Sequence, residues 1–181
     1  MTGSAPASRR VVGTLRSANG AGTVRIEDRY FTDVQDLWSA LTDPERLARW
    51  YGEVEGDLHE GGQFRVYLEG PDINAAGRIE ACDPPRRLLV KTRETDESAS
   101  RGNGPSFEQT VEATLIPSDS HTILVLEVSG LPLDKIASFG VGWQLHAESL
   151  ANYLAGRIGF DVRARWEELA GVYEDMAAQL R

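Results

Sequence analysis

The sequence predicts an α+β domain in which an antiparallel β-sheet is laid against a long C-terminal helix. Three observations carry this. Extended segments run through residues 11–30 and again through 53–128, where turn-rich breaks separate them and several alternate with period two. A period of 3.6 appears at 34–41 and returns beyond Gly130. No helix long enough for a parallel crossover interrupts 53–128, so its strands are expected to form an antiparallel meander.

Taken in order, residues 1–10 (MTGSAPASRR) are small and polar, lack any apolar period, and are expected to form a flexible tail. VVGTLRS, ANGAG and TVRIEDRYF then read as two extended runs joined by a turn. In the second run Val24, Ile26 and Asp28 share one face, and Arg25, Glu27 and Arg29 share the other. Val34, Leu37, Trp38 and Leu41 fall at helical spacing, with Thr32 or Asp33 available as the cap. Asp43-Pro44-Glu45 starts a second short helix whose buried side is Leu47 with Trp50 or Tyr51.

In the meander, Phe64, Val66 and Leu68 oppose Arg65, Tyr67 and Glu69, while Ile123 and Val125 oppose Leu124 and Leu126 in a strand apolar on both sides. The stretch 95–106, TDESASRGNGPS, is expected to be a mobile hairpin tip. Ile136, Phe139, Trp143, His146, Leu150 and Leu154 then mark one stripe of the long helix. After a break at Gly156 to Gly159, Asp161 caps a last amphipathic helix striped by Val162, Trp166, Leu169, Tyr173, Met176 and Leu180. The expected organisation is a tail over 1–10, one domain over 11–156 and a helical extension over 157–181.

Composition bounds the function. With 181 residues and 41% of them hydrophobic, about 70% of the extended chain's surface can be buried in a single core without staples. One cysteine, Cys82, excludes an intramolecular disulfide, and no secretory leader is visible, so a cytoplasmic location is expected. No apolar run approaches the roughly 20 residues of a membrane span. With 28 acidic against 19 basic residues, the net charge of −9 argues against nucleic acid as a partner.

Motifs for chemistry are scarce. The three histidines, His59, His121 and His146, are scattered and no HExxH occurs, so no metal is expected. His146 and Glu148 mimic an HxE pair, but residues two apart on a helix point about 200° apart. No GxSxG elbow is present, and Gly20-Ala21-Gly22 leads into a strand and offers no helix N-terminus to a dinucleotide. No catalytic residue and no cofactor are therefore assigned. Glu112 and Glu127, both in strands, could be raised-pKa groups in a dry cavity, though a solvated or arginine-paired position weighs more. Trp50, Tyr51, Phe64, Phe107 and Trp143 are core residues or a cavity wall. Gly140 and Gly142 in the long helix point to close backbone approach or empty volume. His146, on the same stripe, is either a hydrogen-bonded core histidine or the polar tip that orients a ligand.

The segments DPERLARWYG (43–52), EGGQFR (60–65), DPPRRL (83–88) and GWQLHAESLANYL (142–154) carry a resemblance. Over roughly 24–154 the chain resembles the START-like (SRPBCC) helix-grip superfamily and, within it, the family of homologues of the heat-shock protein 90 ATPase activator. The resemblance implies a curved antiparallel sheet gripping the long helix, with a cavity closed by the two short helices. It implies binding of hydrophobic small molecules, action on polyketides in some branches, or engagement of a chaperone. The positions similar to the family's cavity wall are Trp50, Tyr51, Phe64, Val66, Phe107, Trp143, His146 and Leu150. The N-terminal hairpin strand and the last helix depart from the shorter pattern, which leaves the cavity mouth either open or plugged.

The function expected is binding of a hydrophobic or aromatic small molecule without covalent chemistry. The alternatives are a surface-acting regulator of a heat-shock chaperone, and a cyclase-type enzyme using His146 and Glu127. The stripe on the last helix is expected to dock on its own domain or on a second copy, giving a monomer or a homodimer.

Overall fold

The computed structural model describes residues 10–68, 74–94 and 107–180. The tail at 1–9, Glu69 and the tip at 95–106 lie outside the described residues. Eight strands form one sheet in the order β1-β2-β8-β7-β6-β5-β4-β3, and each neighbouring pair runs antiparallel. They are β1 (Gly13–Ala18), β2 (Ala21–Tyr30), β3 (Glu53–Gly56), β4 (Gln63–Tyr67), β5 (Asn74–Asp83), β6 (Arg87–Glu94), β7 (Glu108–Pro117) and β8 (Thr122–Leu131). The meander β3 to β8 is the one expected, and the first hairpin is added at its far edge through β2–β8 pairing.

Local chemistry sets the connections. Asn19 and Gly20 both hold positive φ, 54° and 79°, the two-residue turn whose twist matches a hairpin. The helix α1 (Val34–Thr42) is capped by the Asp33 side chain, which accepts from the Asp36 N–H. Asp43 then plays two parts. Its N–H closes α1 on the Ser39 carbonyl, and its side chain accepts from the Glu45 N–H to cap α2 (Pro44–Trp50). A single residue in extended conformation thus turns the chain between the two short helices. A 3₁₀ turn at Leu133–Lys135 leads into α3 (Ile136–Leu154), and Asp161 caps α4 (Val162–Ala178).

The core is split. One cluster joins the inner faces of β1, β2, β8 and β7 to α1, α3 and α4, through residues such as Val24, Ile26, Leu124, Val128, Leu150 and Leu169. A smaller cluster of Phe64, Val66 and Ile79 lies on the other half of the sheet. A sheet that twists through eight strands cannot stay in contact with one straight helix along its whole width, so space opens between the two clusters.

The helix α3 buries residues on more than one side. Gly140 and Gln144 face α4, while Trp143, His146 and Leu150 face the other half of the sheet. Gln144 is fully buried and saturated. Its Nε2 donates to the Arg10 carbonyl and to Glu148, and its Oε1 accepts from the Val12 N–H and from the Tyr173 hydroxyl at 2.6 Å.

The last helix docks on its own domain by much of the stripe the sequence suggested, with Leu169 and Tyr173 buried and Met176 and Leu180 packed against the core, but its first turns depart from it. Val162 and Trp166 remain 52% and 38% exposed, and the buried line is Arg165, Leu169 and Tyr173. The reason is electrostatic. Arg165 is 4% exposed and makes a bidentate pair with Glu148 of α3, at 2.7 Å and 3.1 Å, backed by Glu168.

Candidate functional site

The space between the two clusters is a cavity of about 380 Å³ that opens to solvent. Its size matches small-molecule sites. One wall is the inner face of the sheet, built in rungs across the strands. Phe64, Gly77, Thr92 and Gln109 pair in one rung, Ile79, Val90 and Val111 in the next, and Cys82, Leu88, Ala113 and Leu126 in the one after. The bulge between Ile79 and Ala81 shifts the alternation by one residue, so that Ile79 and Cys82 both line the cavity. Gly77 makes room for its neighbour, since a β-carbon there would stand 2.5 Å from the Phe64 ring.

The opposite wall comes from the helices. The Trp50 indole N–H donates to the Ala40 carbonyl at 2.9 Å, which fixes the ring across the α1–α2 corner. From there a chain of rings runs along the cavity. Trp50 meets Tyr51 at 5.5 Å between centroids, Tyr51 meets His146 edge-on at 4.9 Å, and His146 meets Trp143 at 5.5 Å. Burial holds the His146 imidazole neutral by pulling its pKa down to about 4, and pushes the Tyr51 hydroxyl up to about 12.

Among the described residues, the lining contains no Asp, Glu, Lys or Arg. The wall is therefore an uncharged aromatic and aliphatic surface with a few neutral polar groups, suited to hold an uncharged apolar molecule and to exclude an ion. Among the described residues no three His, Cys, Asp or Glu side chains converge as a metal site requires.

Of the residues expected at the cavity wall, Trp50, Tyr51, Phe64, Val66, Trp143, His146 and Leu150 line it. Phe107 does not. It precedes β7 and packs edge-on against Phe139 in the first turn of α3, with centroids 5.4 Å apart, so it belongs to the hydrophobic core. Glu127, weighed as an internal acid or base, lies on the outer face of the sheet, paired with Arg16 and Arg25, and Glu112 is paired there with Arg87. No residue of α4 lines the cavity, so the added helix leaves it open.

The wall residues that sequence patterning did not single out include Ile79, Val90, Thr92, Gln109 and Val111. Their signal is the strand register. Once Phe64 is set inward, the antiparallel pairing carries the inward face across β5, β6 and β7.

Comparison with known proteins places this geometry. The family model described as Activator of Hsp90 ATPase homolog 1-like protein matches residues 32–155. None of the curated proteins matches the chain. Among solved structures, the crystal structure of CalU16 from Micromonospora echinospora is similar at 30% identity and a TM-score of 0.72, covering 91% of this chain and 95% of that one. DynU16, described as a protein of the dynemicin biosynthetic locus, is 28% identical with a TM-score of 0.62 over 74% of this chain, which spans about half (47%) of its length. Protein MLL2253 from Mesorhizobium loti shares the fold at 22% identity and a TM-score of 0.64, covering 76% of this chain and 99% of that one.

Proposed function

This chain belongs to the Activator of Hsp90 ATPase homolog 1-like family, and from that premise we propose that it takes up a hydrophobic or aromatic small molecule in its internal cavity. The observation that carries this reading is the run of rings Trp50, Tyr51, His146 and Trp143 over an uncharged cavity of about 380 Å³. A cavity open to solvent leaves its apolar wall facing water, and an apolar occupant removes that area from water. At roughly 25 cal/mol per Å² of apolar area removed from water, a multi-ring ligand buried there is held without any charge pairing.

The likeness to a protein of a biosynthetic locus agrees with a small-molecule role. A cyclase-type activity would draw on His146, which as a neutral imidazole faces the cavity as a proton acceptor. The chaperone reading rests on the family's description alone, and is tested by stimulation of a chaperone ATPase with the cavity filled.

The reading is tested by titration with the neutral dye N-phenyl-1-naphthylamine, whose emission rises in apolar surroundings. Saturable binding of one dye per chain is expected. Emission that stays at the level of free dye across the titration contradicts the reading.

A further inference from the structure

The cavity wall has a polar spot that the protein itself does not use. Thr92 and Gln109 are direct partners across β6 and β7, on the rung that begins at Phe64 and Gly77. Both line the cavity. Thr92 is 9% exposed, and its Oγ1 and the Gln109 Oε1 are fully buried without a hydrogen-bond partner among the described residues. The cavity-lining residues of the neighbouring rungs are apolar: Val54 and Val66 on one side, and Ile79, Val90 and Val111 on the other.

A buried oxygen left unpaired costs about 1–3 kcal/mol, so two of them on paired residues are expensive unless something completes them. Elsewhere in this molecule the comparable groups are satisfied. Gln144 uses both its amide N–H groups and its oxygen. The Thr122 hydroxyl donates to the Thr32 carbonyl, and the Thr42 hydroxyl, also in the cavity wall, donates to the Trp38 carbonyl.

We infer that Thr92 and Gln109 form a polar subsite that selects a neutral, hydroxyl-bearing aromatic ligand. The inference rests on the small-molecule reading above and adds the chemical class. The two orphaned oxygens define the group that fits. Gln109 Oε1 is an acceptor and needs a donor, whereas the Thr92 hydroxyl can donate or accept. One ligand hydroxyl completes both, donating to Gln109 and accepting from Thr92. A ketone or ether oxygen would satisfy Thr92 only and leave Gln109 bare. A carboxylate would meet an acceptor oxygen in a wall without a cation, which is repulsive. The subsite therefore favours a phenol or alcohol on a ring system over its ether or its acid.

The experiment uses displacement of N-phenyl-1-naphthylamine by 2-naphthol and by 2-methoxynaphthalene, which differ at the hydroxyl, with wild type, Thr92→Val and Gln109→Met. Wild type is expected to show a preference for 2-naphthol that drops by about tenfold in Gln109→Met. Thr92→Val is expected to weaken both ligands. Neither variant is expected to lower Tm in the absence of ligand, because each removes an unsatisfied oxygen. A naphthol-to-ether ratio unchanged in Gln109→Met, with dye still bound, overturns the subsite while leaving the cavity reading intact. A Tm lowered by either substitution overturns it as well, since the side chain would then be serving the fold. Failure of the dye itself to bind wild type removes the small-molecule reading and the subsite together.

Discussion

The ring of Tyr173 occupies the place of the side chain that residue 140 lacks: a β-carbon on Gly140 would stand 2.4 Å from Tyr173 Cδ1. Helix α4 thus reaches α3 closely enough for the Tyr173 hydroxyl to donate to Gln144, and the cavity is left to the other side of α3.

Two opposing effects decide the outcome of Gly140→Ala. Alanine improves helix propensity by up to about 1 kcal/mol, but forcing a methyl into a filled contact costs about 1–3 kcal/mol. The clash wins, and Gly140→Ala is expected to lower Tm. Two residues on, a β-carbon at Gly142 meets nothing within 4 Å. Gly142→Ala is expected to gain about 0.5–1 kcal/mol from propensity alone. Urea unfolding of the pair checks both signs.

Glu148→Ala leaves Arg165, 4% exposed, with only Glu168 beside it. A loss of about 2–3 kcal/mol is expected, less than the fully buried case because Glu148 is partly exposed. Glu148→Leu with Arg165→Met removes both charges and should recover much of it. Denaturant midpoints of the single and double variants measure the coupling.

His146 makes stability depend on pH. Its pKa is about 4 in the folded chain, against about 6.5 when unfolded, so between these values the unfolded chain binds more protons. The contribution is complete above about pH 6.5, declines as pH falls towards 4 and levels below it, for a total of up to about 3 kcal/mol. His146→Gln is expected to flatten this part of the stability curve, and thermal melts from pH 7 to pH 4 would show it. Identical slopes in both proteins would contradict the assignment.

Trp143→Ala is expected to weaken binding of N-phenyl-1-naphthylamine about tenfold, the worth of roughly 60 Å² of lost apolar contact. Trp166→Ala, on the outer side of α4, is expected to leave it unchanged. Equal binding by folded Trp143→Ala and wild type would argue against a site at this wall.

The fold was readable where one residue type does one local job. Asp33 and Asp43 cap helices, Asn19-Gly20 turns a hairpin, and alternation sets Phe64 and Val66 inward. The cavity wall was partly readable, because Trp50, Tyr51, Trp143 and His146 lie on helices whose period is visible. Phe107 misled since a terminal strand position carries no alternation, and its contact, Phe139, is remote in sequence. Trp166 misled because Arg165 beside it takes the buried place in that turn of α4 by pairing with Glu148, a contact between helices that periodicity does not encode. Thr92 and Gln109 were invisible for a related reason. Their meaning comes from a cross-strand register and from the absence of a partner, and neither is a property of a single segment.

The most direct measurement of the small-molecule reading follows the tryptophan indole N–H resonances in a titration with 2-naphthol. Trp38, Trp50 and Trp143 line the cavity and Trp166 lies outside the lining, so one spectrum holds both probe and control. Saturable shifts of the Trp143 and Trp50 signals with a stationary Trp166 signal are the result expected. Stationary cavity signals at saturating 2-naphthol, or a shift at Trp166 alone, would contradict uptake into the cavity.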